Sequence, residues 1–320
     1  MCPAFEVIER EYQNQISKFE RDPVTGLVDP ARAVKVFKRP AAGDEMQLPS
    51  DVRPPLVLKK TLDYLFHELL PQYPFEETHN LISDRTRGVR QDFTVQHERG
   101  DIAIECHERI VRYHILAFHQ MKSVPNFRFQ LELEQLHKSL TSLMEFYDDA
   151  HRTGIFPLNE PEFRAYHLLA HLRNGRISTS LERQSDAIID APIVQLAMEL
   201  HAAGQRNNAV SGKHSPNCPA AQNTFARFFG LVARPSTPYL IACLLEHHFE
   251  SVRTGAFKSM KAGVGQNQGL SIQKMTDILG FNNDDETTSY VKALNIPIVE
   301  LRGRPHIGLS KNVDVIGKSS

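Results

Sequence analysis

Arg53-Pro54-Pro55-Leu56-Val57-Leu58-Lys59-Lys60-Thr61-Leu62-Asp63-Tyr64-Leu65 opens on two prolines and continues with leucines three to four residues apart. Proline suits a first helical turn, where its missing N–H has no bond to lose, and Leu58, Leu62, Leu65, Phe66 and Leu69 then share one face. The stretch is predicted to be a helix that docks on something. A second block follows, Asp84-Arg85-Thr86-Arg87-Gly88-Val89-Arg90-Gln91-Asp92-Phe93-Thr94. Its three arginines could bind carboxylates or phosphates, since the guanidinium fork fits both. The neighbouring Asp84 and Asp92 favour internal ion pairs. Neither block contains a catalytic pattern.

The helical pattern continues from Pro55 to about Met260. Ile102–Met121 places Ile104, Ile110, Val111, Ile115 and Phe118 on or beside one stripe, and Leu131–Tyr147 repeats it with Leu133, Leu136, Leu140, Leu143 and Met144. Asn159-Glu160-Pro161-Glu162 has the acidic first turn and proline of a helix start. Ile193–His201, Asn223–Val232 and Pro238–Met260 complete the series. Stacked antiparallel helix pairs are the simplest way for such amphipathic helices to share a core.

The two ends differ from this middle. Residues 1–50 hold a short helical run, Phe5 to Phe19, and then Pro23, Gly26, Pro30, Pro40, Gly43 and Pro49. Breakers this dense predict an extended arm that lies on the body, waits for a partner, or is a plain flexible lead-in. At the other end, Leu270–Phe281 reads as a short helix with a Ser271 N-cap and a Gly280 stop, and Asn283-Asp284-Asp285-Glu286 starts another. Ile296–Leu301 and His306–Leu309 flank the Gly303-Arg304 turn. Helix, helix, hairpin is the order of a winged helix. The fold class is thus mainly all-α: a solenoid of stacked helical pairs, then a winged helix with a small β-hairpin. The expected divisions are an arm over 1–50, a helical-repeat domain over 51–240 and a winged-helix domain over 241–320.

Composition excludes several classes. A net charge of −1 over 320 residues gives no global field toward nucleic acid or anionic membrane. Cys2, Cys106, Cys218 and Cys243 form no C-x-x-C pair, which argues against a disulfide framework or cysteine zinc site and for a reducing compartment. No apolar run approaches the ~20 residues of a membrane span, and the first residues lack a signal-peptide pattern.

The chemistry-bearing residues give no active site. His167 and His171 share a helix face, but Leu168 stands where a zincin needs glutamate, so core or interface histidines are the simpler reading. His247-His248 is weaker still. Gly263-Val-Gly265-Gln-Asn-Gln-Gly269 follows a helix and lacks the Gly-Lys-Ser/Thr ending of a phosphate loop, and reads as a connector. No catalytic residue, metal site or cofactor is expected. The better nucleic-acid candidates lie near the C-terminus. Ser251–Ser320 holds nine basic residues against six acidic, whereas Leu131–Ala150 has five acidic residues against Lys138 alone. Arg253, Lys258, Lys261, Lys274, Lys292, Arg302, Arg304 and Lys311 are the candidate phosphate contacts. A merely solvated surface is the alternative. Arg53, Lys59, Lys60, Asp63, Arg85, Arg87, Arg90, Asp92 and Arg164 are the candidate partner-binding or fold-holding residues.

The Arg53–Leu65 and Asp84–Thr94 blocks, Ile104–His114, Asn159–Leu169 and Leu240–Glu246 together resemble the central region of the GANP (Sac-three) family, from Cys2-Pro3 to about Leu309. These are large scaffold subunits of the nuclear-pore-associated transcription-and-export complex. The resemblance implies a helical PCI-type fold ending in a winged helix. It implies pairing with a second PCI-domain subunit and a small acidic subunit of the proteasome-lid kind, and with them an RNA-binding platform for nuclear mRNA export. It further implies that the N-terminal arm contacts a DEAD-box RNA-dependent ATPase. The rival expectation is a protein-interaction module of a lid, signalosome or splicing-linked complex, without direct RNA binding.

Overall fold

Pro54 and Pro55 start helix α2 (Pro55–Asp63) as the sequence predicts, in a computed structural model that describes residues 1–39, 48–172, 174–205, 224–263, 269–301 and 303–309. Those residues are mostly helical, with a small three-stranded antiparallel sheet near the C-terminus. They form two compact units, Met1–Glu160 and Pro161–Ser320.

In the first unit, α1 (Ala4–Tyr12) and a 3-10 turn (Lys18–Glu20) precede α2. The run expected as helix to Phe19 ends early, at Asn14 in a left-handed conformation (φ 54°). After α2 the chain passes through a π turn (Tyr64–Leu69) into α3 (Leu70–Gln72). Pro71 there has no N–H to offer the preceding turn. Then follow α4 (Phe75–Val95), α5 (Asp101–Met121) and α6 (Phe129–Arg152). Leu58, Leu62, Leu65 and Leu69 are all fully or nearly fully buried, each contributing about 1.5–3 kcal/mol of transfer free energy. Helix α5 packs against α2, α4 and α6.

The N-terminal segment is tied down by two buried carboxylates. Glu20 pairs with Arg10 of α1 and with Arg85 of α4 (3.3 Å), and accepts the Val34 N–H (3.0 Å). Asp92 of α4 accepts from Arg53 Nε and Lys35 Nζ, both at 2.6 Å. Residues 34–37 therefore run across α4 in contact with it. Gly88 allows the approach: a Cβ there would lie 3.3 Å from the Lys35 carbonyl oxygen. Burial pushes the Glu20 carboxyl up, but the hydrogen bond from Arg10 and the charge of Arg85 outweigh it and hold it below the usual carboxylate range.

The second unit carries α7 (Glu160–Ala170), which starts at the boundary, α8 (Gly175–Leu181), α9 (Asp186–Ile189), α10 (Pro192–Gln205), α11 (Phe225–Val232) and α12 (Tyr239–Leu245). The short α8 and α9 had no sequence signal strong enough to predict them. A 3-10 turn (Glu246–His248) separates α12 from α13 (Phe249–Gly263), so the expected single helix over Pro238–Met260 is two. Next come β1 (Leu270–Ser271), α14 (Ile272–Ile278), α15 (Asp284–Ala293), β2 (Ile298–Leu301) and β3 (Arg304–Ile307). The sheet order is β1-β3-β2, with Ile307 opposite both Leu270 and Ile298. The helix, helix, hairpin order is as expected. The added strand β1 comes from residues read as the helix start. Ser271 nonetheless caps α14, accepting from Lys274 N–H (3.5 Å), and Asn283 caps α15, accepting from Glu286 N–H (2.8 Å).

Truncating Asp92 to alanine leaves the buried Arg53 and Lys35 cations without their carboxylate. The expected loss is about 3–5 kcal/mol of unfolding free energy, read by urea denaturation, with faster proteolysis within residues 20–39 than in α5. Acid has its own signature. His107 is fully buried, donates Nδ1–H to the Ala103 carbonyl (2.8 Å), and is pushed down to about 4 by burial. The unfolded chain takes up this proton first, so stability is lost as pH falls from about 6.5 toward 4, by about 1.4 kcal/mol per pH unit. Urea titrations across that range should show a slope shallower by this amount in His107→Gln.

Candidate partner and nucleic-acid interfaces

The arginine block of α4 faces inward and sideways. Arg85 is buried between Asp84 (2.5 Å) and Glu20, Arg87 lies 4.0 Å over the Phe37 ring, and Arg90 hydrogen-bonds Gln135 Oε1. Arg53 is spent on Asp92. Asp92 does not pair with the arginines beside it in sequence, because on α4 it faces the crossing residues 34–37 and the start of α2. On α2, Lys59 pairs with Glu105 (2.6 Å) and Asp63 with Arg109 (2.8 Å), both on α5, while Lys60 is exposed. Arg164 on α7 is buried. Arg53, Arg85, Asp92 and Arg164 are thus buried within their units, the pairs made by Lys59 and Asp63 lie partly exposed, and Lys60 is on the surface.

The basic residues of the C-terminal module divide differently. Lys258 (α13), Lys274 (α14), Lys292 (α15) and Arg304 (β3) are exposed, and Lys261 is half-buried. None forms an ion pair among the described residues. Arg302 and Lys311 lie outside the described residues, as do 264–268 of the glycine-rich connector. Arg253 stands apart from this set. It reaches from α13 to the end of α14, donating from Nε to the Leu279 carbonyl (3.0 Å) and from Nη2 to that of Gly280 (2.5 Å). Its guanidinium lies 3.8 Å over the Phe281 ring. Gly280 has φ 60°, and a Cβ there would meet Phe229 at 2.8 Å, so both conformation and space require glycine. Phe281 N–H closes the helix end on the Thr276 carbonyl (3.0 Å), a Schellman arrangement. Thr276 and Thr287 share a buried hydroxyl contact (2.8 Å) that fixes α14 on α15. The exposed lysines thus sit on a braced frame.

A polar cluster that no sequence spacing announces lies in the first unit. Glu132 of α6 is buried, 2.6 Å from His114 Nδ1, 3.6 Å from His79 Nε2 and 3.2 Å from Ser83 Oγ. Burial raises its carboxyl and the His114 ring lowers it further, leaving it below the usual range. With His79, Ser83 and Gln135 it floors a groove of about 570 Å³ walled by Met121, Val124 and Phe127. Ser83 donates to a carboxylate and not to an imidazole, and Tyr113 occupies His79 Nδ1 at 3.0 Å, so this is no nucleophile–base pair. His171 bonds the His167 carbonyl (2.9 Å). Among the described residues no three His, Cys, Asp or Glu side chains are placed to hold a metal ion, and no helix is long and apolar enough to cross a membrane.

Residues 1–300 match the model of the SAC3/GANP family, a span that includes the Arg53–Leu65 and Asp84–Thr94 blocks and helices α13 to α15 of the C-terminal module but not β3. The chain belongs to the SAC3/GANP family. It is 45% identical over 316 residues to SAC3 family protein 1 of Schizosaccharomyces pombe, covering 97% of this chain and 31% of that protein. It is 29% identical to SAC3 family protein B of Arabidopsis thaliana over 89% of the chain, and 28% identical to Protein xmas of Drosophila melanogaster over 94%. It spans 17% and 14% of those two proteins. This SAC3/GANP chain therefore corresponds to less than a third of each relative's length.

For this SAC3/GANP chain, Arg253→Ala removes two charge-assisted hydrogen bonds and a stacked cation. The expected cost is about 2–4 kcal/mol in unfolding free energy. Hydrogen exchange should show the loss concentrated in α14 and α15. Exchange that rises no more there than in α10 would refute this bracing role.

Proposed function

We propose that this chain is a non-catalytic scaffold of nuclear mRNA export coupled to transcription, working at the nuclear pore. Its C-terminal module is a winged helix, placed beside the winged helix of another PCI-type subunit. A small acidic subunit completes the assembly, and the N-terminal segment serves a DEAD-box RNA-dependent ATPase. Together the subunits present an RNA-binding surface. The observation that carries the RNA part is the set of exposed cations without carboxylate partners, Lys258, Lys274, Lys292 and Arg304, on a frame braced by Arg253. Unpaired cations on a rigid frame suit sequence-independent phosphate contact. Family membership supports the scaffold role. Arg253 itself is taken from the phosphate-contact set to the frame, because its donors are already engaged.

One observation favours a module that binds protein alone: Asp277, Asp284, Asp285 and Glu300 are also exposed on this module. The two readings separate on salt. In the complex assembled with its PCI partner, Lys258→Glu, Lys261→Glu, Lys274→Glu and Arg304→Glu combined should weaken RNA binding at least tenfold in a filter assay. The slope of log affinity against log salt should fall by about 0.7 for each single-strand phosphate that is no longer neutralised. Elution of the complex on size exclusion should not change. An unaltered affinity and slope would leave the protein-only module.

A further inference from the structure

Helix α1 is built inside out. Its inward face holds Glu6, Val7 and Arg10, all buried. Glu6 accepts the Val36 N–H at 2.8 Å, and Arg10 pairs with Glu20 and donates to the Val34 carbonyl at 3.1 Å. Its outward face holds Phe5, Ile8 and Tyr12, which are 73%, 66% and 89% exposed. An ordinary surface helix has the reverse pattern. Each large apolar side chain left in water forgoes its transfer free energy, and the buried polar contacts prevent α1 from rolling over to recover it. Positions i, i+3 and i+7 are those by which a helix anchors in an apolar groove.

We propose that Phe5, Ile8 and Tyr12 form a docking ridge for a partner protein that offers an apolar groove with a basic rim. The rim follows from charge. Glu11 is exposed beside the ridge and Glu9 flanks it, half-buried. The one basic residue of α1, Arg10, is turned inward, and the nearby Lys38 is held by Glu9 at 3.3 Å. RNA and anionic lipid would meet carboxylates first, whereas helices that lie on membranes carry Lys and Arg along their polar face. A second copy fits poorly. The groove floored by Glu132 also has Glu76 and Asp84 against Arg87 and Arg128, an acidic excess opposite Glu11. Glu6 and Arg10 anchor α1 to residues 20–36, which favours a helix formed ahead of binding and lowers the cost of docking. The proposal stands whether or not the chain binds RNA.

The test begins with a photo-crosslinking phenylalanine analogue at Ile8 in the full-length protein in its own cells, with Lys138 on α6 as the control position. A protein adduct from Ile8 and not from Lys138 is expected. That protein, purified, should bind the purified chain. Phe5→Ser with Tyr12→Ser should weaken its Kd at least tenfold, and Glu11→Lys should weaken it severalfold. The melting temperature should hold in both variants, because the three side chains are exposed. Adducts to RNA, to lipid or to a second copy would each overturn the proposal. So would the absence of an Ile8-specific protein adduct, or a Kd that ignores the double substitution.

Discussion

Two carboxylates with almost no solvent, Glu20 and Asp92, hold the first unit to one arrangement. Each sits between two cations from different parts of the chain: Arg10 and Arg85 for Glu20, Lys35 and Arg53 for Asp92. A buried pair adds little beyond what well-packed apolar residues would add, but removing one member leaves an uncompensated charge. Alternatives that leave any of these six groups without its partner are therefore heavily penalised. The arrangement is selected by the cost of breaking it. It fixes where residues 34–37 cross α4, and through Glu6 and Arg10 it fixes which way α1 faces.

The C-terminal module uses the same economy with one arginine. Arg253 supplies donors to two carbonyls at the end of α14, where a helix has acceptors without partners. It also stacks on Phe281, so one side chain connects α13 to the turn between α14 and α15. Lys258, Lys274, Lys292 and Arg304, by contrast, are exposed and form no ion pair among the described residues. Division of labour among like-charged residues is a general hazard for reading function from composition: a count of basic residues does not separate the one that holds the frame from those that face solvent.

Much of the helical order was legible in the sequence because its signals are local. Pro54-Pro55, the leucine spacing of α2, the Ser271 cap and the Gly280 stop all act within a turn or two, and each element forms where they place it. Of the internal pairs expected from the adjacent aspartates, Arg85 with Asp84 forms, whereas Arg87 lies over Phe37, Arg90 bonds Gln135, and Asp92 turns to other cations. The identity of those partners was not legible. Asp92 pairs with Lys35, 57 residues away, and Arg85 with Glu20, 65 residues away. No periodicity relates residues so distant. The same reason hid the Glu132, His114, His79 and Ser83 cluster, whose members come from three helices. Residues 1–39 were the least legible part: dense breakers exclude long elements but say nothing about whether the irregular backbone finds carboxylates to bind. Here it does, since Val34 and Val36 donate their N–H groups to Glu20 and Glu6.

Charge also separates what the two ends of the chain can recognise. The ridge of α1 presents aromatic and aliphatic surface beside Glu9 and Glu11, so contact there gains most from apolar burial and only its rim responds to ionic strength. The C-terminal lysines Lys258, Lys274 and Lys292 are exposed and without carboxylate partners among the described residues, so the phosphate contact proposed there would be driven by counterion release and would weaken steeply with salt. A ligand that satisfies one surface is the wrong ligand for the other: a polyanion meets carboxylates at α1, and an apolar groove finds little to bury at Lys274 and Lys292. If both proposed surfaces are occupied, rising salt would weaken the C-terminal contact far more than the one at α1. The proposed scaffold would then retain a protein partner under salt that releases a nucleic acid, a difference set by which side chains are turned inward at each end.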